Sequence, residues 1–196
     1  ENVYQFKITL QEIRPPIWRR IQVPETYSIW DFHVAIQDAM GWTDSHLHEF
    51  QMKDPKSHAE VEIGFPSEFA PGILLSWETA MADFFAINNP RAVYTYDFGD
   101  DWRHMVILEK ILPKEPGIRY PRCIKGKRAC PPEDIGGVWG YEEYLEKLRN
   151  PDARDEDDEY CDFDFDPEHF SCAEVVFDDP EERLKQSGIL DSLCID

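Results

Sequence analysis

No run of this 196-residue chain approaches the roughly 20 consecutive apolar residues that a membrane-spanning helix requires. Its start lacks the basic, then apolar, then small-residue pattern of a secretory signal, and the opening at Glu1 leaves room for an initiator or short leader ahead of it. Cysteine is scarce and odd in number, five residues at 123, 130, 161, 172 and 194. A secreted disulfide framework is denser and even, so the expectation is a reduced, cytoplasmic protein. Basic residues are outnumbered, 20 Lys and Arg against 40 Asp and Glu, for a net charge of −20. Phosphate backbones repel such a chain, which argues against broad nucleic-acid binding. Gly-x-Ser-x-Gly elbows, glycine-rich phosphate loops and serine-centred arginine clusters are all missing, which removes the usual serine hydrolases, P-loop enzymes and serine resolvases.

What is present is a globular composition, 42% apolar and 13% aromatic, in a length that suits one core. A single domain over residues 1–196 is expected. The acidity is uneven: residues 152–182 hold 15 acids against the single base Arg154, leaving a net of only −6 for the rest. That segment is interleaved with Tyr160, Phe163 and Phe165, so it is expected to wrap the body as a solvated edge. One basic stretch, Arg119, Arg122, Lys125, Lys127 and Arg128, balances it as a solvated loop.

Periodicity predicts an α+β fold. Tyr4, Phe6, Ile8 and Leu10 alternate with polar residues as one strand, and Ile17, Arg19, Ile21 and Val23 form a second after Pro15-Pro16. Ser28 caps a helix over 29–40 that Gly41 ends, and a strand from His46 to Met52 follows. This ββαβ opening is β-grasp-like, and the whole is expected to be a twisted, mostly antiparallel sheet with helices at 29–40, 77–85 and 141–149 packed on it. Ser76 is the expected cap of the second helix, and Asn150-Pro151 the end of the third. A weaker strand is read at 60–65, a proline- and glycine-rich loop without regular elements at 113–139, and a last short helix behind Asp179-Pro180.

The most informative stretch is Tyr94 to His104, a hairpin whose first strand carries Tyr94, Tyr96 and Phe98 on one face and whose second strand carries Trp102, His104, Val106 and Leu108 on one face, with Arg103, Met105 and Ile107 on its other. Its Gly99-Asp100-Asp101 turn gathers carboxylates with Asp97. His46 and His48, two apart on one strand face, have the spacing of a pair of metal ligands. With His104 and one of Asp97, Asp100 or Asp101 they compose a His/carboxylate set suited to zinc, iron or manganese. The bland reading of both histidines is hydrogen bonding within the core. Cys123 and Cys130 are a second candidate metal or dithiol pair, whose pKa values the nearby Lys125, Lys127 and Arg128 would lower. Glu133 and Asp134, on a proline-braced turn, offer a general base or a brace.

Several pieces together resemble one family, the Ri-plasmid ORF-3-like proteins, some labelled passenger TnpR. They are Pro15-Pro16-Ile17-Trp18-Arg19-Arg20, Gly41-Trp42, His46-Leu47-His48-Glu49-Phe50, Tyr96-Asp97-Phe98-Gly99-Asp100 with Trp102 and His104, Tyr120-Pro121-Arg122-Cys123, Ala129-Cys130-Pro131-Pro132-Glu133-Asp134, Gly136-Gly137, Gly140-Tyr141 and Phe165-Asp166-Pro167. The resemblance implies a plasmid or mobile-element setting and no assigned chemistry. Similar members carry a cysteine where this chain has Ile135, so a cysteine metal set would be one ligand short here.

The leading expectation is a non-enzymatic module that binds another protein through Trp18, Arg19, Arg20, Tyr96, Asp100 and Trp102, residue types that dominate interfaces. No cofactor is expected under that reading. The alternative is a metal-dependent hydrolase, with zinc or another divalent transition metal on His46, His48 and His104 and with Asp97, Asp100 or His104 in catalysis. A DNA-associated accessory factor, resting on the family's company, is the third.

Overall fold

The alternation of β1 (Asn2–Leu10) places Phe6, Ile8 and Leu10 in the core, and its pairing with β2 (Trp18–Pro24) follows the register Phe6 to Ile21. We describe the chain from a computed structural model over residues 1–66, 72–150, 152, 154, 162 and 164–188. Helix α1 (Ile29–Met40) starts at a capping box in which Ser28 and Asp31 exchange side-chain and backbone hydrogen bonds, and it stops at Gly41 in the left-handed region (φ 105°). Strands β3 (His48–Lys53), β4 (Glu60–Gly64), β5 (Leu74–Leu75), β6 (Arg91–Tyr96), β7 (Trp102–Pro113) and β8 (Arg122–Lys127) complete one eight-stranded sheet. Its order is β5-β4-β3-β6-β7-β1-β2-β8, antiparallel except for the β4–β5 pair. Helices α2 (Met81–Phe84), α3 (Gly137–Arg149) and α4 (Pro180–Gln186) complete the regular elements of the described residues. None of these helices is long and apolar enough to cross a membrane.

Helix α1 lies on one sheet face, where Phe32 meets Phe6 at 4.3 Å and Phe50 at 5.7 Å between ring centroids. Along β7, Trp102, His104, Val106 and Leu108 are buried, as the alternation predicts.

Three expectations need correction. The helix expected over 77–85 is a single turn, because Ser76 O and Thr79 O accept the Trp30 and Ile29 amides and the Met81 amide donates to Tyr27 O. Those groups serve the start of α1 and are lost to a longer helix. The cap is Ala80, and the Ser76 hydroxyl has no partner among the described residues. Second, a strand does lie within 113–139. β8 pairs with β2 as the sheet's edge, and Arg-Cys-Ile-Lys-Gly-Lys hides it by having no apolar alternation. Third, α3 begins at Gly137, four residues before the expected start, and Gly140 inside it is required: a Cβ there would stand 1.8 Å from Ile135 O. Pro151, Tyr160, Cys161, Phe163 and Cys194 lie outside the described residues.

Arg19 is 1% exposed and has no carboxylate partner among the described residues. Its guanidinium donates to Ala39 O (2.7 Å), Trp18 O (3.0 Å) and Lys127 O (3.1 Å), and its flat face lies over the Phe170 ring at 3.7 Å. One side chain thus joins the end of α1, strands β2 and β8, and the segment before the 3-10 turn Cys172–Glu174. Burial, the largest influence, pulls its pKa down from the ordinary arginine value, but three carbonyls keep the charged form hydrogen-bonded. An Arg19→Met variant is expected to lose about 3 kcal/mol of stability in urea unfolding, since buried carbonyls lose their donors. Arg19→Lys should recover less than half of that, because one ammonium lacks the planar fork.

A second prediction comes from His104, which is wholly buried with its Nδ1 3.2 Å from Tyr94 O. Burial outweighs the backbone hydrogen bonds and lowers its pKa from 6.5 to about 4. The unfolded chain therefore binds a proton that the folded chain refuses between these values. Stability is full above about pH 6.5 and falls as the pH drops toward about 4, by up to about 3 kcal/mol from this residue. Urea midpoints at about pH 7 and about pH 4.5 should lie closer together in a His104→Gln variant than in the parent chain.

Candidate functional site

At one end of the sheet three connections meet: the 41–47 loop ahead of β3, the 97–101 turn between β6 and β7, and the 131–136 loop ahead of α3. They meet because the last residue of β6, Tyr96, is buried but sends its hydroxyl among them. That hydroxyl accepts the Ser45 amide at 3.0 Å and donates to the Glu133 carboxylate at 3.1 Å. Glu133 in turn accepts the Thr43 amide at 2.8 Å and the Thr43 hydroxyl at 3.1 Å. The Trp42 indole donates to Pro131 O at 3.0 Å. Glu133 is thus a brace, its carboxylate committed to fixed donors; burial and Glu133 together hold the Tyr96 phenol above its ordinary pKa.

The 97–101 turn is an Asx turn. Asp97 sits in the left-handed region (φ 57°), its Oδ1 accepting the Gly99 amide at 2.9 Å and its own amide donating to Leu47 O at 3.0 Å. Asp100 Oδ2 accepts the Gly136 amide at 3.1 Å and so holds the start of α3. A Cβ on Gly137 would lie 2.5 Å from Asp100 O, so only glycine fits this approach. Asp100 is therefore a positioning residue for α3.

The geometry brings together His46, Asp97 and Asp134. His46 Nε2 is 2.9 Å from Asp134 Oδ1 and 3.5 Å from Asp97 Oδ2, yet hydrogen-bonds neither. One potential metal-ligating atom from each of the three lies within 4.8 Å of the others. Asp97 is buried, His46 half-buried and Asp134 exposed. Beside them Asp44, Ser45, His46 and Leu47 line, with Trp30 and Phe65, an open cleft of about 400 Å³.

The structure does not bring together His46, His48 and His104. β3 starts at His48, so His46 lies in the preceding loop and the two-residue spacing no longer puts both rings on one face. His48 points into the core, stacked on His33 at 3.6 Å between centroids, with no hydrogen bond on either nitrogen among the described residues. Burial, and His33 after it, lower its pKa far below the ordinary histidine value. His104 is enclosed against Trp42 and Tyr94. Nor do Cys123 and Cys130 pair: the neighbour of Cys123 Sγ is Cys172 Sγ, at 3.7 Å. Lys125, Lys127 and Arg128 do not set the thiol chemistry, because burial raises Cys123 to about 12 and holds Cys130 well above the ordinary thiol value, with Arg19 a smaller opposing influence.

Among the expected binding residues, Arg19, Tyr96 and Trp102 are buried. Trp18 is half-buried beneath Lys7 and Arg20, and Arg20 makes a two-pronged pair with Glu109 (2.6 and 2.7 Å). What the loop end exposes instead is Leu47 (50%), Phe98 (54%) and Trp139 (84%). A polar network behind the cleft escaped sequence reading. His33, on α1, bridges the Tyr94 hydroxyl (2.8 Å) and Asp44 (2.7 Å), and Gln37 reaches the same hydroxyl at 2.9 Å. The signal was available, since His33 and Gln37 stand four apart on the helix stripe occupied by Ile29, Ile36 and Met40.

Known proteins resemble this chain along nearly its whole length. It is 35% identical over 192 residues to the uncharacterised protein y4hQ of Sinorhizobium fredii, covering 91% of this chain and 92% of that one. It is 47% identical to a Methanosarcina mazei Go1 protein of unknown function whose crystal structure superposes with a TM-score of 0.85, over 90% of this chain and 98% of the other. Residues 2–174 match the model of the family described as plasmid pRiA4b ORF-3-like protein, and the chain belongs to that family.

Proposed function

We propose that this chain is a non-enzymatic binding module whose docking end is the meeting place of the 41–47, 97–101 and 131–139 segments, and that its ligand is a basic, apolar stretch of another protein. The observation that carries the reading is Trp139, 84% exposed in the first turn of α3. An indole left in water on a helix that is clamped at its start is the kind of rigid anchor that interface hot spots use. Phe98 and Leu47 are exposed on the segments that Asp97 ties together. Asp100, Asp101, Glu133 and Asp134 surround them with negative charge, which favours Lys or Arg on the partner.

The hydrolase reading loses two of its three histidine ligands, His48 and His104, to the core. The DNA reading loses much of its basic stretch, because Arg128 is buried against Glu168 (2.7 Å) and Arg122 pairs with Glu115 (2.8 Å). Free thiols at Cys123, Cys130 and Cys172 fit a cytoplasmic setting. The ββαβ order of β1, β2, α1 and β3 supports the β-grasp-like opening, and the Arg19 and Arg128 contacts support one unit running into the acidic segment.

Selection from a displayed random-peptide library tests the reading. Recovered sequences should combine Lys or Arg with an aromatic residue. Trp139→Ser and Phe98→Ser should each weaken binding about tenfold or more, while Arg91→Ser, at the far end of β6 from Tyr96, leaves it unchanged. Failure to recover any sequence above the Trp139→Ser background overturns the proposal.

A further inference from the structure

We infer that His46, Asp97 and Asp134 form a binding site for a single divalent transition-metal ion. One imidazole and two carboxylates compose a donor set that zinc, manganese and iron accept. Two donors each about 2.1 Å from an ion stand about 3.0 Å apart at a right angle and about 3.4 Å apart at a tetrahedral angle. The 2.9 Å and 3.5 Å separations from His46 Nε2 to the two carboxylates are of that size. An ion pair without a metal would place the N–H on a carboxylate oxygen, but here Nε2 is enclosed and in hydrogen-bonding line with neither.

The donors are also held before any ion arrives. Asp97 is buried, its backbone left-handed and its Oδ1 fastened to the Gly99 amide, which leaves Oδ2 on the His46 side. His46 stands edge-on to Tyr96, 5.9 Å between centroids, and Tyr96 anchors the flanking Ser45 amide. Asp134 follows Glu133, which is hydrogen-bonded to Thr43 and Tyr96, and precedes the Gly136 amide held by Asp100. Each ligand comes from a different segment, and the hydrogen bonds between segments set their spacing. Charge points the same way. The ion-pair partner of both Asp97 and Asp134 among the described residues is His46, with no lysine or arginine beside them. With a neutral imidazole the set carries two uncompensated negative charges, one of them on a buried side chain, and a dication neutralises both.

Three protein donors leave positions open to water. The ion's role in this geometry is to fasten the 41–47, 97–101 and 131–136 segments to one another. That consequence for docking rests on the binding reading above; the site itself does not.

The test uses the full chain alone, so that it is independent of any partner. Purified without an affinity tag, it is stripped with chelator, dialysed against zinc or manganese, and measured by plasma mass spectrometry and titration calorimetry. The expected result is one ion per chain, with affinity reduced about tenfold or more by His46→Gln and by Asp134→Asn. Asp134 is exposed, so its variant should keep the parent unfolding midpoint. Asp97→Asn preserves an acceptor for Gly99 and should weaken the ion likewise. No binding of either metal overturns the inference. So does binding that survives both His46→Gln and Asp134→Asn, or binding abolished by Cys172→Ser, which would place the ion on the thiols.

Discussion

A buried guanidinium whose hydrogen bonds among the described residues all go to carbonyls is the constraint on which the architecture depends. Arg19 sits where the last turn of α1 faces the edge of the sheet, a place where carbonyls collect without donors. A helix that ends against a sheet needs its terminal carbonyls satisfied, and Ala39 finds its partner in a residue from β2. The same group closes β8 through Lys127 and seats Phe170 on its flat face. Phe170 in turn requires glycine beneath it: a Cβ on Gly126 would fall 2.3 Å from its ring. A carboxylate partner would satisfy the charge but could not tie together so many backbone segments. The cost of desolvation is met by number of hydrogen bonds instead of by an opposite charge.

The loop end is organised on the same principle, with a neutral hydroxyl at its centre. Tyr96 is the residue at which β6 stops being a strand, and its ring is held in the core by Trp42 at 5.0 Å between centroids. Its oxygen is therefore as fixed as the sheet. Glu133 and Ser45 take their positions from it, and Asp97, the next residue in the chain, takes its position from the backbone that Tyr96 terminates. A set of polar side chains on three loops thereby acquires the rigidity of a sheet end. Loops alone do not supply such rigidity.

The elements with strong periodicity could be read from the sequence for physical reasons. In β1 and β7 a clean period of two reflects one buried and one solvated face, and in α1 the Ser28 and Gly41 boundaries are local chemistry. β8 was not legible because an edge strand with Gly126 under Phe170 buries little of its own side-chain surface. The short α2 was not legible because the backbone just ahead of it, at Ser76 and Thr79, serves the start of α1 across the fold. The site was half legible: His46, Asp97 and Asp134 were each singled out, but not as a set. His48 and His104 looked equivalent to His46 in spacing, and only the register of β3 against β6, with His48 opposite Tyr96, decides which histidine enters the core. Aromatic residues at the hairpin invited a surface reading, yet Tyr96 and Trp102 face α1 and its following loop, leaving Phe98 at the turn to meet water.

The two proposals for this end act on one another, and magnitudes decide the sign. An ion on Asp97 and Asp134 would remove two negative charges that attract a basic partner. At a separation of about 10 Å in water each charge pair is worth about 0.4 kcal/mol before screening, so the loss is on the order of 1 kcal/mol. The same ion would cross-link loops whose spacing the hydrogen bonds of Tyr96, Asp97 and Asp100 already set, so little ordering of the exposed Leu47 and Phe98 is left for it to supply. Asp100 and Asp101 stay free of the ion and retain part of the attraction. The lost attraction is therefore the larger effect, and metal and partner would weaken one another's binding, least at salt concentrations that screen the charges.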